Sequence, residues 1–450
     1  MSTDFPDTIA AIATPLGRGG VGIIRLSGDA VESIAPKLLG ELPRPRKATH
    51  TIFLDEHQQA IDSGLALYFP APHSFTGESV LELQGHGGPV VMDSLLQRVL
   101  ACGARIANPG EFSLRAFLNN KIDLSQAEAI ADLIDAQSTE AAKSAVRSLQ
   151  GEFSKKIKAL VEQLIALRLY VEAAIDFPEE EIDFLSDQHI ADEFHLLHET
   201  LKKIIATAKQ GVLLREGMTI VLAGKPNAGK SSLLNVLSGR ESAIVTEIPG
   251  TTRDVLREHI QIDGIPLHII DTAGLRESDD IIEQEGVRRA IEAMQQADVV
   301  VFLNDKSQSD ALCEVHTNHV PKNIPIVFVH NKIDLLSEKP CVYSKGAYTV
   351  LELSVKKGEG IDLLKETLKK LSGAQTGESS QFIARRRHVE ALRCAKEHLD
   401  EGYEQLHTYK AGELLAEELR LAQNSLNEIT GEFSSEDLLG RIFSSFCIGK

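Results

Sequence analysis

Gly224-Lys-Pro-Asn-Ala-Gly-Lys-Ser231, lying directly behind the apolar run Thr219-Ile-Val-Leu-Ala223, is the stretch on which the reading of this chain turns. It is a full G-x-x-x-x-G-K-[ST] signature in a strand-to-loop setting. A strand that delivers a glycine-rich loop lets backbone N–H groups curl around phosphate. The helix that follows points its positive end at the same anion. In this pattern Lys230 reaches the β- and γ-phosphates and Ser231 ligates Mg2+, while Ala228, Gly229 and Ser232 complete the cradle. A glycine-rich turn before any helix shares part of this pattern, so the weight falls on its companions.

Three companions follow in order, each at the end of an apolar run. After Leu267-His-Ile-Ile270 comes Asp271-Thr272-Ala273-Gly274, where the Asp carboxylate holds the Mg2+ shell and the glycine leaves room beside a γ-phosphate. After Ile326-Val-Phe-Val329 come Asn331, Lys332 and Asp334. A carboxylate there accepts from both N1–H and N2–H2 of guanine, a donor pair that adenine lacks. Ser354-Val-Lys356 then closes over the base. The set reads as a guanine-nucleotide switch domain. Between the first two segments lies Pro249-Gly250-Thr251-Thr252-Arg-Asp254, a switch loop in which Thr252 completes Mg2+ binding. Leu275 stands where Ras-like enzymes carry the Gln that orients water, so hydrolysis needs another polar group, sought in the acidic stretch Glu277 to Glu285.

Outward from this module, 450 residues correspond to about three domains. With 43% hydrophobic and 25% charged residues the chain reads as ordinary globular protein. Lys plus Arg at 47 against Asp plus Glu at 65 leaves 47 − 65 = −18, which excludes bulk electrostatic wrapping by nucleic acid but not a local basic patch. Five scattered cysteines give no disulfide framework and no paired CxxC, so a reducing compartment is expected. Neither a secretory signal nor an apolar run of about 20 residues is visible, and a cytoplasmic location without membrane contact is expected.

The texture predicts a mixed α+β domain over 1–121, with strands at Val21–Leu26 and Val80–Leu83. Helices are expected over 122–215, where Ile157, Leu160, Val161, Leu164 and Ile165 make an amphipathic stripe, interrupted by the acidic run Asp176–Asp183. Alternating strand and helix over 216–375 signals a parallel α/β module, closed by the polar linker Gly373–Ser380. Helical texture returns over 376–450, with a stripe at Leu415, Leu419, Ala422, Leu426 and Ile429. The α/β module is therefore expected as an insertion into a helical domain. His195, His198 and Glu199 share a helix face but read as polar surface. Arg385-Arg-Arg-His388 reads equally as a nucleic-acid-backbone contact or as a solvated helix start.

The chain resembles the MnmE (TrmE) family of tRNA-modifying GTPases along its whole length. The resemblance rests on the phosphate loop, on Gly250-Thr-Thr-Arg-Asp254 and on Asp271-Thr-Ala-Gly-Leu-Arg-Glu277. Outside that module it rests on Leu81-Glu-Leu-Gln-Gly-His-Gly-Gly88, Phe117-Leu-Asn-Asn-Lys-Ile-Asp123 and Phe446-Cys-Ile-Gly-Lys450. It implies an α+β N-terminal folate-binding domain, a discontinuous α-helical domain and an inserted α/β Ras-like P-loop GTPase domain. It implies a homodimer working with the flavin-dependent subunit MnmG (GidA), as a heterotetramer. Together they add an aminomethyl or carboxymethylaminomethyl group to C5 of the wobble uridine of certain tRNAs. The one-carbon donor is 5-formyltetrahydrofolate or methylene-tetrahydrofolate.

By that resemblance K+ activates GTP hydrolysis, held by the Asn227 side chain with Thr246, Ile248 and Thr251 supplying loop oxygens, and Glu247, Pro249 and Gly250 join the same nucleotide loop. Glu283 falls where the family's water-orienting Glu lies. Arg25, Glu82 and Lys121 match folate-contacting positions, with Lys450 close by. A cation suits the folate glutamate tail and a carboxylate the pterin N–H donors. Cys447, in the terminal Cys-x-Gly-Lys, is either a nucleophile or a packing residue of the folate interface. Two rivals stand beside this reading. One is a stand-alone folate aminomethyltransferase with a regulatory G domain; the other is a ribosome-assembly or signalling switch without folate chemistry.

Overall fold

A computed structural model describes residues 7–15, 17–176, 188–224, 227–238, 257–262, 264–271, 288, 291–307, 320–322, 324–371, 382–409, 411–432, 436–446 and 449. The chain folds as two compact units: Met1–Ala131 with Leu149–Val161 and Gln423–Lys450, and Asp132–Ser148 with Glu162–Ala422. The last segment, 423–450, packs with the first.

In the first unit, β1 (Ile9–Ile12), β2 (Gly19–Ser27), β3 (Thr49–Leu54), β4 (Ala60–Phe69), β5 (Val80–Gly87) and β6 (Arg105–Ile106) make a six-stranded sheet in the order β3-β4-β5-β2-β1-β6. All neighbours are antiparallel except β1 and β6. Helices α1 (Val31–Leu39) and α2 (Pro89–Ala101) bring Ile34, Leu38, Leu95 and Val99 to a core with Ala10, Ile24, Leu26, Phe53, Leu81 and Leu83. Ile9 and Ala11, on either side of Ala10, pack instead with Ala107 and with Phe112 of α3 (Glu111–Leu118). Strand alternation then dictates where the charges go. Because Ile24, Leu26, Leu81 and Leu83 are fully buried in one core, Arg25 and Glu82 must lie on the other face, directly opposite each other in register. Each aliphatic side chain buried contributes about 1.5–3 kcal/mol. A one-residue slip would exchange those four for the charged pair, so the register is strongly held.

The C-terminal segment is tied to this sheet. Ile442, Phe443 and Phe446 pack with Leu124 and Ala127. Gly110 has φ 67, and a Cβ there would lie 2.4 Å from the Phe443 carbonyl oxygen, so the close approach requires glycine.

The second unit holds helices α5 (Thr139–Leu149) and α7 (Gln188–Glu216), the helix Arg386–Glu404 and a seven-stranded sheet. The sheet order is β12-β13-β11-β10-β7-β9-β8, from β7 (Met218–Gly224), β8 (Arg257–Ile262), β9 (Ile265–Asp271), β10 (Val299–Asp305), β11 (Ile326–Asn331), β12 (Cys341–Lys345) and β13 (Tyr348–Glu352). The five strands from β13 to β9 run parallel, with β8 and β12 antiparallel at the edges. Both faces are covered, which explains the unbroken apolar runs. Ile220, Leu222, Val299, Val301 and Leu303 enter one core, and Val221, Ala223, Val300 and Phe302 enter the other. Parallel strands end along one edge of the sheet, and there the motif-bearing loops emerge.

The two expected helical stripes are buried, with Ile165 only half-buried: Ile157, Leu160, Val161 and Leu164 on one helix, and Leu415, Leu419, Ala422, Leu426 and Ile429 on another. The chain re-enters the helical part at 382–385. Ser148 donates its hydroxyl to the Ile383 carbonyl (3.2 Å) and accepts the Ile383 N–H (2.9 Å). Arg385 pairs with Asp132 at 2.8 Å and Arg386 with Glu216 at 2.7 Å, while buried His388 accepts the Arg385 N–H at 3.0 Å. The basic run is thus a helix start whose first two cations are engaged within the unit. His198 pairs with Asp400 at 2.8 Å and Glu199 with Lys202 at 3.0 Å. Among the described residues no three His, Cys, Asp or Glu side chains gather to hold a metal, and no helix is long and apolar enough to cross a membrane.

Candidate functional sites

The phosphate loop leaves β7 at Gly224 (φ 145), where a Cβ would lie 2.2 Å from the Leu303 carbonyl oxygen. It turns through Asn227 in the left-handed region (φ 64), which Asn tolerates better than most residues. The loop closes at Gly229 (φ 104) and runs into helix α8 (Lys230–Ser238). Lys230 is 9% exposed and donates from Nζ to the Gly224 carbonyl at 2.7 Å, spanning the loop from end to start. Asn227, Ser231 and Ser232 are exposed at the helix entrance. An amide and hydroxyls at a helix N-terminus are hard oxygen donors, of the kind that suits Mg2+ or an alkali cation.

Asn331, expected to join the nucleotide site, ties the loops of that site together. It is 3% exposed, and its Nδ2 donates to the Ala228 carbonyl of the phosphate loop at 2.9 Å. Its Oδ1 accepts the N–H groups of Lys332 (2.7 Å) and Val355 (3.0 Å). One buried amide therefore joins three loops. The same contact explains Gly229, whose Cβ would sit 2.4 Å from Asn331 Nδ2.

Asp334 follows on a short 3-10 turn, where the fully buried Ser354 donates its hydroxyl to Asp334 Oδ1 at 2.7 Å. Ser354 Oγ also accepts the Lys357 N–H at 3.3 Å. Ser354 thus orients the half-buried carboxylate. Lys332, at φ 69, reaches Asp305 at 2.7 Å. Partial burial alone would raise the Asp305 pKa; hydrogen bonds from Lys332 and Ser307 outweigh it and hold the carboxyl below its usual range.

In the first unit, Arg25 and Glu82 form a cross-strand ion pair, Nε to Oε1 at 2.9 Å and the terminal nitrogen to the same oxygen at 2.8 Å. The two charges thus stand side by side on one face of the sheet. The Arg25 guanidinium lies 5.8 Å from the Phe112 ring centroid and 5.9 Å from that of Phe75. The Gly449 carbonyl is 3.5 Å from a guanidinium nitrogen. Lys121 Nζ donates to the Pro72 carbonyl at 2.9 Å, on the loop that carries Phe75.

A family model described as the MnmE helical domain matches residues 124–447, and one described as the GTP-binding protein TrmE N-terminus matches residues 8–121. The tRNA modification GTPase MnmE of Yersinia pestis bv. Antiqua (strain Angola) is 59% identical over 450 residues, covering 99% of both chains. Its namesake in Hydrogenovibrio crunogenus is 58% identical over 445 residues with the same coverage. The chain belongs to the MnmE family of tRNA modification GTPases. A solved structure of Era in complex with MgGDPNP and a 16S ribosomal RNA segment is also similar, at 26% identity over 40% of this chain and 66% of that one, with a TM-score of 0.29.

Of the residues named from sequence, Thr246 to Thr252, Thr272, Ala273, Gly274, Glu283, Cys447 and Lys450 lie outside the described residues, and Asp271 is described as the end of β9 without its side chain. What sequence reasoning missed for this family member are the partners rather than the motifs. Asn331 as a three-way tie, Phe75 and Phe112 beside Arg25, and the Gly449 carbonyl all depend on contacts between distant segments.

Proposed function

We propose that this chain is a K+-activated GTPase that, with the flavin-dependent MnmG subunit and a folate one-carbon donor, adds an aminomethyl or carboxymethylaminomethyl group to C5 of the wobble uridine of certain tRNAs. One observation carries the nucleotide half of this reading in a member of this family. The phosphate loop, the Asn331–Asp334 turn and the Ser354–Lys357 turn are fastened together by the Asn331 amide. GTP phosphates suit the loop N–H groups and Lys230, and guanine suits the carboxylate that Ser354 orients. Ser231 and Thr252, with Asp271, would hold Mg2+. Asn227, Thr246, Ile248 and Thr251 would hold K+. Fixed cations there supply the charge neutralisation that phosphoryl transfer demands. Glu283 would orient water in place of the side chain that Leu275 lacks.

For the folate half, Arg25 steadies Glu82 so that its carboxylate meets the N–H donors of a pterin, leaving Lys121 and Lys450 for the anionic tail. Cys447 belongs to the same terminal segment. Residues 1–121 would form the folate-binding and dimerisation domain, 122–215 and 376–450 the helical domain, and 216–375 the G domain, acting as a cytoplasmic homodimer that joins MnmG in a heterotetramer.

The test is GTP hydrolysis in Na+ and then K+ at equal ionic strength, repeated with Glu283→Ala. Strong stimulation by K+ that the variant loses is expected. Equal rates in both salts would remove the Asn227 cation site and point to a protein activator instead.

A further inference from the structure

We infer that Arg44, Arg46 and Lys47, on the turn between α1 and β3, form a docking surface for the phosphate backbone of the tRNA. This rests on the tRNA-modifying role proposed above and adds to it the place where the RNA is held. A chain of net charge −18 does not attract a polyanion by its mean charge, so RNA must meet a local cluster of cations. The stretch from Lys37 to Leu54 supplies one, with Lys37, Arg44, Arg46 and Lys47 against the single carboxylate of Glu41.

Most charge runs are only solvated faces. Two observations set this one apart. The first is partnership. Arg44, Arg46 and Lys47 are all exposed, and among the described residues none of them pairs with a carboxylate. Exposed cations of the second unit are instead neutralised on their own helices, Arg393 by Glu390 and Glu397, Arg420 by Glu417 and Lys202 by Glu199.

The second is the mounting. Pro43 is buried and Pro45 bridges to Tyr68 of β4, each with its φ fixed by the ring. The Arg46 N–H donates to the Tyr68 carbonyl at 2.8 Å, and the Lys47 N–H to the Arg44 carbonyl at 3.2 Å, closing a turn. Arg46 stands in the left-handed region (φ 57), an uncommon conformation for a long side chain. Its guanidinium donates to the His73 carbonyl and lies 5.9 Å from the Phe69 ring centroid. The backbone under all three cations is thus set before any ligand arrives.

Position and chemistry name the ligand. His73 belongs to the loop 70–79 between β4 and β5, which also carries the Phe75 ring, 5.9 Å from the Arg25 guanidinium. RNA held at the turn is therefore one loop away from the candidate one-carbon site. Guanidinium groups take phosphate oxygens through paired N–H donors, and an ammonium takes them as a point charge. Such contacts position a backbone without reading its sequence, which suits a surface shared by several tRNAs.

Binding of a fluorescently labelled tRNA transcript with uridine at the wobble position is followed by anisotropy, with the full chain, across a series of salt concentrations. Arg44→Gln/Lys47→Gln removes two exposed charges and leaves the turn's backbone contacts in place, while Arg44→Lys/Lys47→Arg keeps the charges. The Gln pair is expected to weaken binding at least about tenfold at low salt and to make the slope of log affinity against log salt shallower by about 1.5. The charge-preserving pair is expected to match wild type in both. Arg393→Gln, which removes a cation already neutralised, leaves affinity and slope unchanged. An unchanged slope in the Gln pair overturns the surface, and so does an equal loss in Arg393→Gln, which would mark net charge rather than a site. Failure of wild type to bind the transcript overturns it as well, and K+-stimulated GTP hydrolysis on the same sample then reports separately on the enzyme reading.

Discussion

At the scale of single residues, Asn331 shows why a motif letter and its task differ. The sequence places it in the nucleotide site because it precedes Lys332 and Asp334; the fold also gives it three backbone partners, one on each of three loops. That role was not legible, since Ala228 is 103 positions away and Val355 is 24 away. Asn331→Ala should therefore loosen the site rather than change its specificity. It leaves one buried carbonyl and two N–H groups without their partner, and each unsatisfied group costs about 1–3 kcal/mol before relaxation. We expect affinity for GDP and GTP to fall at least about tenfold with the preference for guanine over adenine intact. Amide exchange at Lys332 and Val355 should accelerate. Titration with fluorescent nucleotides and hydrogen exchange check both, and unchanged exchange at those two amides would refute the tie.

At the scale of elements, legibility followed burial. β7 and β11 are covered on both faces and announce themselves as apolar runs, whereas β3 and β4 are exposed or half-buried along most of their length and β6 has two residues. The anchoring of α3 was equally hidden. Glu111, in its first turn, accepts from Arg105 at 2.8 Å, from the Asn108 N–H at 2.8 Å and from Arg115 at 2.9 Å. Burial alone would raise the Glu111 pKa, but the hydrogen bonds from Arg105, Asn108 and Arg115 outweigh it and hold the carboxyl below its usual range. Asp7, also opposed by burial and held by Arg105 and Arg115, shifts the same way. A depressed folded-state pKa means stabilisation present above the unfolded carboxylate value and lost as pH falls through the folded one. The first unit should hence melt progressively earlier through the acid range. Glu111→Gln should start lower at neutral pH and lose less on acidification, so that the two melting curves converge. Parallel curves at every pH would mean that Glu111 contributes nothing through its charge.

At the scale of the whole molecule, the chain's two ends share one unit, an arrangement that periodicity cannot reveal. Amphipathic stripes told where helices form, and both stripes are buried except at Ile165; they did not tell that 423–450 packs with the first 131 residues. The closure is made at Gly449, whose φ is 94 and whose Cβ, if present, would lie 2.6 Å from the Ile12 carbonyl oxygen. Its own carbonyl lies 3.5 Å from Arg25, across 424 positions of sequence. Gly449→Val adds a branched side chain where φ and space both oppose it, a strain of about 1–3 kcal/mol that displacing the tail relieves. On the folate reading proposed above, reduced-folate affinity should fall about tenfold or more, because Arg25 loses that carbonyl. The nucleotide-binding segments all belong to the other unit, so GTP affinity measured on the same sample should stay within about twofold, short of the roughly fivefold or greater change that marks coupling between sites. If it moves by more, linkage requires that GTP change folate affinity by the same factor, and titrating each ligand in the presence of the other decides it. Folate affinity unaltered in Gly449→Val would separate the tail from the Arg25–Glu82 site altogether.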